Sequence, residues 1–518
     1  MPQGTLPQRW VKVLDQSRCI GCHACTTACK SENSVPLGVT RTYVKSVEVG
    51  TYPQVRRAFQ VTRCNQCSEA PCVAACPTRA MYRRPDGIVD FDKSICIGCK
   101  ACMAACPYDA IFINPEDHSA EKCNFCAHRL EIGLEPACVS VCPTEAILVG
   151  DINDPTSKVS KIVQREPVSV RRPEKGTRPG LFYKGAHQAT LDPLAARRPG
   201  GGLFAWASQG PPGPQLVTSG HPYHPNSSAA ALLSYDVPHQ APWGWRVSLY
   251  TWAKGIASGS LALAIALAYA GPLSFSGPVV RYWAPSVALV FLAFTGALLI
   301  FDLKHPTRFY LIFTRHHWKS WLVRGSFVIS YYGAVTTAFL VVCVLAGTGV
   351  VPTPAGNLAE QVLGGFALVG AVGTACYTAF LFAQAKGRDL WQSPLLPAHL
   401  AVQATLLGAA SLLVGVALGV GQPTAAPALE VVLALSAGAH LVLVIGEFSL
   451  VHATEHAHLA ATEIVRGTYA SFFWLGAVLV GLAVAAPWLG AAAAAPALVG
   501  LVAYEHAYVQ GGQCVPLA

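Results

Sequence analysis

Sixteen of the 19 cysteines lie between Cys19 and Cys142, and they fall into four groups of four. The pattern C-x2-C-x2-C-x3-C occurs at Cys19, Cys22, Cys25 and Cys29, and again at Cys96, Cys99, Cys102 and Cys106. The second and fourth groups stretch one gap: Cys64, Cys67, Cys72 and Cys76, then Cys123, Cys126, Cys138 and Cys142. Three closely spaced thiolates can cap three corners of a cubane from one loop, and the fourth cysteine then serves a different cluster, as in two-cluster ferredoxins. Proline follows Cys76, Cys106 and Cys142; Lys30 follows Cys29, a departure that removes no ligand. Disulfide frameworks belong to short secreted chains. Structural zinc also uses C-x-x-C pairs, but it does not need a third cysteine three residues on, and here the triplet recurs. The spacing therefore points to iron–sulfur ligation. Sixteen ligands taken in fours give four [4Fe–4S] clusters, with [3Fe–4S] the alternative at one site.

The rest of the sequence divides sharply. Up to Trp245 it holds 26 of the 37 Lys and Arg and 20 of the 28 Asp and Glu. The formal charge of +9 is thus no uniform basic coat, and nucleic acid is not an expected partner. Residues 1–152 repeat a cysteine cluster followed by a short β-like stretch, such as Gly87-Ile88-Val89-Asp90 or Ala146-Ile147-Leu148-Val149. Met1 to Asp15 contains no apolar h-region, so no secretory signal is expected. Residues 153–244 carry RRPEKGTRPG, RRPGGG and QGPPGPQ. That composition disfavours a compact core and predicts an extended connector, whose length suits a segment draped over the clusters or a partner.

From residue 245 to 518 eight apolar runs follow: Val247–Ala270, Tyr282–Ile300, Trp321–Ala346, Val362–Ala385, Leu395–Val420, Leu429–Val451, Tyr469–Leu489 and Ala491–Val509. Each is near the roughly 20 residues that cross the hydrocarbon core. The fold class expected is an α+β ferredoxin-like double bacterial-ferredoxin domain with four Fe–S clusters, plus an all-α eight-helix transmembrane domain. Eight crossings return both ends to one side. The loops there hold Lys304, Arg308, Arg315, Lys319, Lys386, Arg388 and Arg466, against Arg281 alone on the other. The positive-inside rule then puts the cluster domain on the cytoplasmic face of the inner membrane.

The order and spacing of the cysteines, and the tail from Pro136-Ala137-Cys138 through Cys142-Pro143-Thr144-Glu145-Ala146 to Gly150-Asp151, resemble the four-cluster iron–sulfur subunit of the dimethyl-sulfoxide reductase family of molybdenum enzymes. The resemblance implies crossed ligation. One set would be Cys19, Cys22, Cys25 and Cys142, and another Cys123, Cys126, Cys138 and Cys29. A third would be Cys64, Cys67, Cys72 and Cys106, and the last Cys96, Cys99, Cys102 and Cys76.

The second half resembles the NrfD-like family, the eight-helix quinone-binding subunit of polysulfide reductase. The resemblance rests on Trp243-Gly244-Trp245 leading to Lys254-Gly255-Ile256-Ala257-Ser258-Gly259, on Asp302-Leu303-Lys304-His305-Pro306-Thr307-Arg308-Phe309, and on Tyr377-Thr378-Ala379-Phe380-Leu381 with Trp391 to Pro397. It implies exchange of electrons and protons with quinone, menaquinone or ubiquinone. Tyr377 matches the family's quinone-contacting tyrosine. Tyr250 lies one turn before Lys254 on the same face, at a position where the family often has His. Lys254 is either functional or a snorkelling side chain. Asp302, His305 and Arg308 form either a proton inlet, a docking patch or a solvated loop. His399, His440 and Glu447 sit in apolar helices, with His440 and Glu447 two turns apart, as a proton relay or an inward structural pair. The histidines do not form the clear facing pairs of a haem b site.

No substrate-converting dyad, phosphate loop or pterin-binding domain is evident. The expectation is an electron-transfer and anchor subunit that serves a molybdopterin catalytic subunit, with further redox subunits as added partners. The alternatives are a module of an assembly resembling alternative complex III with cytochrome partners, and a membrane-tethered carrier that turns over no quinone.

Overall fold

In the computed structural model, which describes residues 7–197, 227–228, 231–421 and 423–518, every cysteine triplet runs into a short helix. These helices are Ala24–Glu32, Pro71–Ala75, Ala101–Ala105 and Ala137–Ser140. Two of them stop at the fourth cysteine of the motif. Cys76 and Cys106 are extended there, because the proline that follows each disfavours helical backbone on the residue before it.

The strands are β1 (Trp10–Asp15), β2 (Thr42–Val49), β3 (Arg56–Arg63), β4 (Met81–Arg83), β5 (Val89–Phe91), β6 (Ile111–Ile113), β7 (Ala120–Lys122), β8 (Ile147–Asp151), β9 (Val168–Ser169), β10 (Leu181–Lys184) and β11 (Leu232–Tyr235). They form sheets in the orders β8-β1-β10-β9 and β11-β2-β3, with two hairpins, β4-β5 and β6-β7. Strand β1 shows how the sheet serves the clusters. Alternate residues point to opposite faces. Val11 and Val13 pack against Val159 and Ile162 of the helix Lys158–Arg165, while Lys12 reaches Cys138 on the other face.

The stretch expected as an extended connector lies against the cluster domain, and it departs from that reading where it forms regular elements of its own. Its helix Lys158–Arg165 covers β1 and β8. Strand β10 joins β1 in parallel, pairing Lys12 with Leu181, and β11 joins β2 antiparallel, pairing Leu232 with Glu48. Strands of four residues among prolines and glycines leave too short a period-2 pattern to be read, and long-range pairing forms them. The QGPPGPQ run and all but the first residue of RRPGGG lie outside the described residues.

The membrane half contains α1 (Trp245–Ala270), α2 (Ala284–Asp302), α3 (Trp321–Gly347), α4 (Thr353–Ala383), α5 (Leu396–Ala417), α6 (Ala426–Ser449), α7 (Glu455–Val465), α8 (Ala470–Ala483) and α9 (Ala494–Gly511). Among the described residues seven helices are long and apolar enough to cross a membrane, or eight if α7 and α8, bent by 71° from one another, count as one span. The 14 residues of α8 span only about 21 Å at 1.5 Å per residue, less than the hydrocarbon core. Helix α1, the most central, is flanked by α2, α4, α5 and α9.

The two halves meet at the third cysteine loop. Gly98 has φ +66° and a Cβ there would stand 2.4 Å from Lys304 Cβ, so only glycine lets this loop touch the loop that follows α2. His305 N–H donates to the Ile97 carbonyl at 3.2 Å, and Arg308 Nη1 donates to the carbonyls of Lys93 and Cys96 at 3.0 Å each. Lys100 pairs with Asp302 at 2.9 Å. Trp243 Nε1 donates to the Cys99 carbonyl at 3.3 Å, and its ring stacks on Phe382 and Trp391. On the second motif Ser320 Oγ donates to the Ala75 carbonyl at 2.8 Å and His317 Nδ1 to that of Cys76 at 3.0 Å.

Candidate redox site and membrane cavity

The folded loops group the cysteines across motifs. Cys19 lies beside Cys22 and Cys142, and Cys29 beside Cys123, Cys126 and Cys138. Cys72 faces Cys64, Cys67 and Cys106, and Cys102 faces Cys96, Cys99 and Cys76. Each of these groups is drawn from one of the nested sets that the resemblance implies, with Cys72 also facing Cys102 and Cys138 facing Cys25 across sets. A cavity of ≈ 370 Å³ is lined by the last set. Among the described residues no three Cys, His, Asp or Glu gather around one ion-sized point. Four thiolates around one cavity, one for each iron of a cubane, fit a cluster.

The electrostatics fit as well. Burial pushes the thiols of Cys29 and Cys106 up to about 12, so thiolates there need compensating positive charge, which iron supplies. Backbone N–H groups already aim at sulfur: Met81 at Cys76 (3.4 Å), Ala120 at Cys96 (3.4 Å) and Ala146 at Cys142 (3.2 Å). Cys138 differs. Burial would raise it, but Arg63 and Lys12 bring it down to about 7. Arg63 Nη1 donates to Cys138 Sγ at 3.0 Å, and Lys12 Nζ stands 3.8 Å from the same sulfur. The spacing rules had not singled out either cation; each lies on a strand far in sequence from its sulfur.

On the membrane side of Cys99 a cavity of ≈ 1090 Å³ opens between α1, α2, α3 and α4. Cys99, Trp243, Tyr250, Asp302, Ser330 and Tyr377 are in its wall, and the remainder is mostly aliphatic and aromatic. Phe309, Phe313 and Ser330 are exposed at its rim. Such an apolar chamber with few polar groups is the usual form of a small-molecule site. The Tyr250 hydroxyl is buried beside Thr378, with no hydrogen bond of good geometry among the described residues. Tyr377 is fixed by Gly325 of α3, where a Cβ would stand 2.4 Å from the tyrosine ring. An aromatic hydroxyl with only Thr378 beside it in an apolar chamber has hydrogen-bonding capacity left for a ligand carbonyl.

The expected site residues separate into three places. Tyr250, Tyr377 and Asp302 line the cavity. Lys254 stands behind it: Nζ donates to the Ala375 carbonyl at 2.6 Å and to Thr378 Oγ1 at 2.9 Å, and sits 5.1 Å from the Tyr377 ring centroid. It is 1% exposed, so it does not snorkel. Arg308 is not in the cavity, since its guanidinium is committed to the two backbone carbonyls of the cluster domain; the docking reading of the Asp302, His305 and Arg308 group is the one the contacts match. His440 is not there either. It lies on α6, which packs on α5, and its Nδ1 meets His399 Nε2 at 2.9 Å. The direct bond between the rings leaves no room for a haem iron between them. Sequence reasoning missed Lys100, Ser326 and Ser330. The serines are small polar residues one turn apart in an apolar helix, which is a readable signal; Lys100 hides at a variable position of the cysteine motif.

Comparison with known proteins agrees with both halves. Residues 10–31 match a 4Fe-4S binding domain, residues 55–152 a 4Fe-4S dicluster domain, and residues 235–492 the family described as Polysulphide reductase, NrfD. The B subunit of tetrathionate reductase from Salmonella typhimurium is 43% identical over 199 residues, covering 38% of this sequence and 80% of that protein. The B component of polysulfide reductase from Wolinella succinogenes is 42% identical over 180 residues, covering 34% of this sequence and 94% of that one. A putative dimethyl sulfoxide reductase iron-sulfur protein of Halobacterium salinarum is 41% identical over 201 residues, covering 33% of this sequence and 77% of the relative. This polypeptide belongs to the family of these reductase iron–sulfur subunits, and it carries an NrfD polysulphide reductase membrane domain on the same strand of sequence.

Proposed function

We propose that this protein is the electron-transfer and membrane-anchor subunit of a quinone-linked respiratory oxidoreductase. It passes electrons between a molybdopterin catalytic subunit and membrane quinone through four [4Fe–4S] clusters. One observation carries the reading: Cys99, a cluster ligand in the expected sets, lies in the wall of the cavity that holds Tyr250 and Tyr377. When bound, the clusters supply one-electron carriage and the quinone supplies exchange of two electrons and two protons.

The protein's own residues set the positions. Lys100 with Asp302, and Arg308 with the Lys93 and Cys96 carbonyls, clamp the Cys99 loop to the cavity roof. The hydroxyls of Tyr250 and Tyr377 would orient a quinone carbonyl, and Lys254 would hold Thr378 and the Tyr377 ring in place. The exposed rim would admit a hydrophobic ligand from the bilayer. In the first cysteine motif Cys22 and Ile20 are exposed, which suits electron exchange with a docked catalytic subunit. The basic loops beside this domain support a cytoplasmic face for it.

Gentle extraction of the full-length protein from native membranes tests the partner. A co-purifying molybdopterin subunit is the expected result. Co-purifying c-type cytochromes would replace this reading with an assembly resembling alternative complex III, and no redox partner at all with a tethered carrier.

A further inference from the structure

Ionisable side chains inside a bilayer are costly and mark ion or proton routes, or tightly paired groups. Here a series of them leads away from the cavity, through parts of α5, α6 and α9 that do not touch it. Behind Tyr377 stands Lys254, and one turn earlier on α1 is Thr251. The single hydroxyl proton of Thr251 is shared between the Ser248 carbonyl at 2.6 Å and Glu505 Oε2 on α9 at 2.9 Å. Glu505 is 4% exposed, and Lys254, Gln403 and His399 face it. His399 Nε2 meets His440 Nδ1 at 2.9 Å, and its Nδ1 stands 3.6 Å from Glu447 Oε2. Tyr508 OH donates to Glu447 Oε1 at 3.2 Å. Beyond Glu447 comes His452, whose ring centroid is 6.3 Å from that of the exposed His458.

The outer end of the series is on the cluster side. Starting from Trp243 beside Cys99, the alternation of α1 to α6 brings the end of α6 back to that face. The same loop touches the cluster-side segment, where Thr454 Oγ1 donates to Asp389 Oδ2 at 2.8 Å and Asp389 pairs with Lys175. Packing alone does not account for the series. A buried carboxylate, two bonded imidazoles and a lysine would each be replaced at lower cost by apolar groups of similar size.

We propose that protons of the quinone reaction travel between the cavity and cluster-side water through Lys254, Thr251, Glu505, His399, Glu447 and His452. This deepens, and rests on, the quinone reading above. On quinol oxidation each molecule gives two electrons to the cluster domain and two protons to this route, and reduction runs the same steps backwards. The competing exit is Asp302, in the cavity wall, but its carboxylate is held by Lys100.

The test uses the full-length, cluster-loaded protein in vesicles, with a short-chain naphthoquinol as donor and external ferricyanide, which oxidises only outward-facing cluster domains. Each quinol oxidised consumes two ferricyanides and releases two protons. For the wild type, pH dyes inside and outside should report acid on the ferricyanide side. Glu505→Gln should slow quinol oxidation roughly 100-fold and enlarge the solvent deuterium isotope effect, with iron content and inhibitor affinity unchanged. Glu505→Asp should recover part of the rate. A merely structural role for Glu505 would not enlarge the isotope effect. Acid in the vesicle lumen, or wild-type rate and isotope effect in both Glu505→Gln and His399→Asn, would overturn the route while leaving the quinone reading intact. A wild-type protein that does not oxidise the quinol at all would overturn both.

Discussion

Replacing Arg63 by Gln should lower the reduction potential of the cluster bound through Cys138 by about 100 mV. Arg63 is 2% exposed, and its Nη1 donates to Cys138 Sγ at 3.0 Å. It also faces the sulfurs of Cys25 and Cys123, so its charge lies between the first two expected sets. A hydrogen bond to a charged group is worth about 1.5–3 kcal/mol, which is roughly 65–130 mV for a one-electron couple at about 59 mV per 1.4 kcal/mol. Burial removes solvent screening and favours the upper half of that range. The sign follows from charge: reduction adds an electron beside a cation, and removing the cation disfavours it. Redox titration of the full-length protein, followed by electron paramagnetic resonance, reads the shift directly. Arg63→Lys keeps the charge and should move the potential by less than half as much. Full iron content in Arg63→Gln with a shift below about 20 mV would refute the reasoning.

Purified protein should hold about 16 iron atoms; zinc, or four irons, would remove the four-cluster reading. Tyr377→Phe should slow quinol turnover about five- to tenfold through one lost hydrogen bond without loss of clusters, and unchanged kinetics would take Tyr377 out of the site. His239 is clamped by Asp109 at 2.6 Å and Asp236 at 3.2 Å; burial pulls its imidazole down, but the two carboxylates hold it up to about 9. A raised folded value means that the clamp's contribution is complete below the unfolded value of about 6.5 and is lost as pH rises through about 9. His239→Gln should therefore flatten the thermal stability profile over that interval, by up to about 3 kcal/mol; a profile with the wild-type slope would exclude the clamp.

The cysteine sets were legible because a cluster's ligands are chosen by identity and spacing, and sixteen cysteines in one pattern leave few arrangements. The membrane spans were legible because length and apolarity alone define them, except where the backbone bends between Val465 and Ala470. What lay hidden depends on contacts between distant residues. Strand β10 exists because β1 offers it an edge, and no local period announces LFYK as a strand. Tyr250 and Lys254 could be placed on one face from their spacing, but only the fold shows that Lys254 is turned from the cavity to Thr378. Arg308 looked like a site residue because charge at a helix end is a functional signal; its partners, two carbonyls more than 200 residues away, could not be read. Glu505, a carboxylate in an apolar run, carried that same signal and was passed over.

The most direct measurement is anaerobic mixing of the full-length protein with a short-chain menaquinol analogue, following bleaching of the iron–sulfur absorbance. The variant to set beside the wild type is Gly296→Phe. Gly296 lines the cavity, and a Cβ there meets no atom within 4 Å among the described residues, so the phenyl ring can occupy the chamber from a position with room for it. The expected result is rapid bleaching in the wild type and none in Gly296→Phe, with dithionite bleaching both equally. Clusters that the quinol leaves oxidised, or bleaching of Gly296→Phe at the wild-type rate, would contradict a quinone site at Cys99.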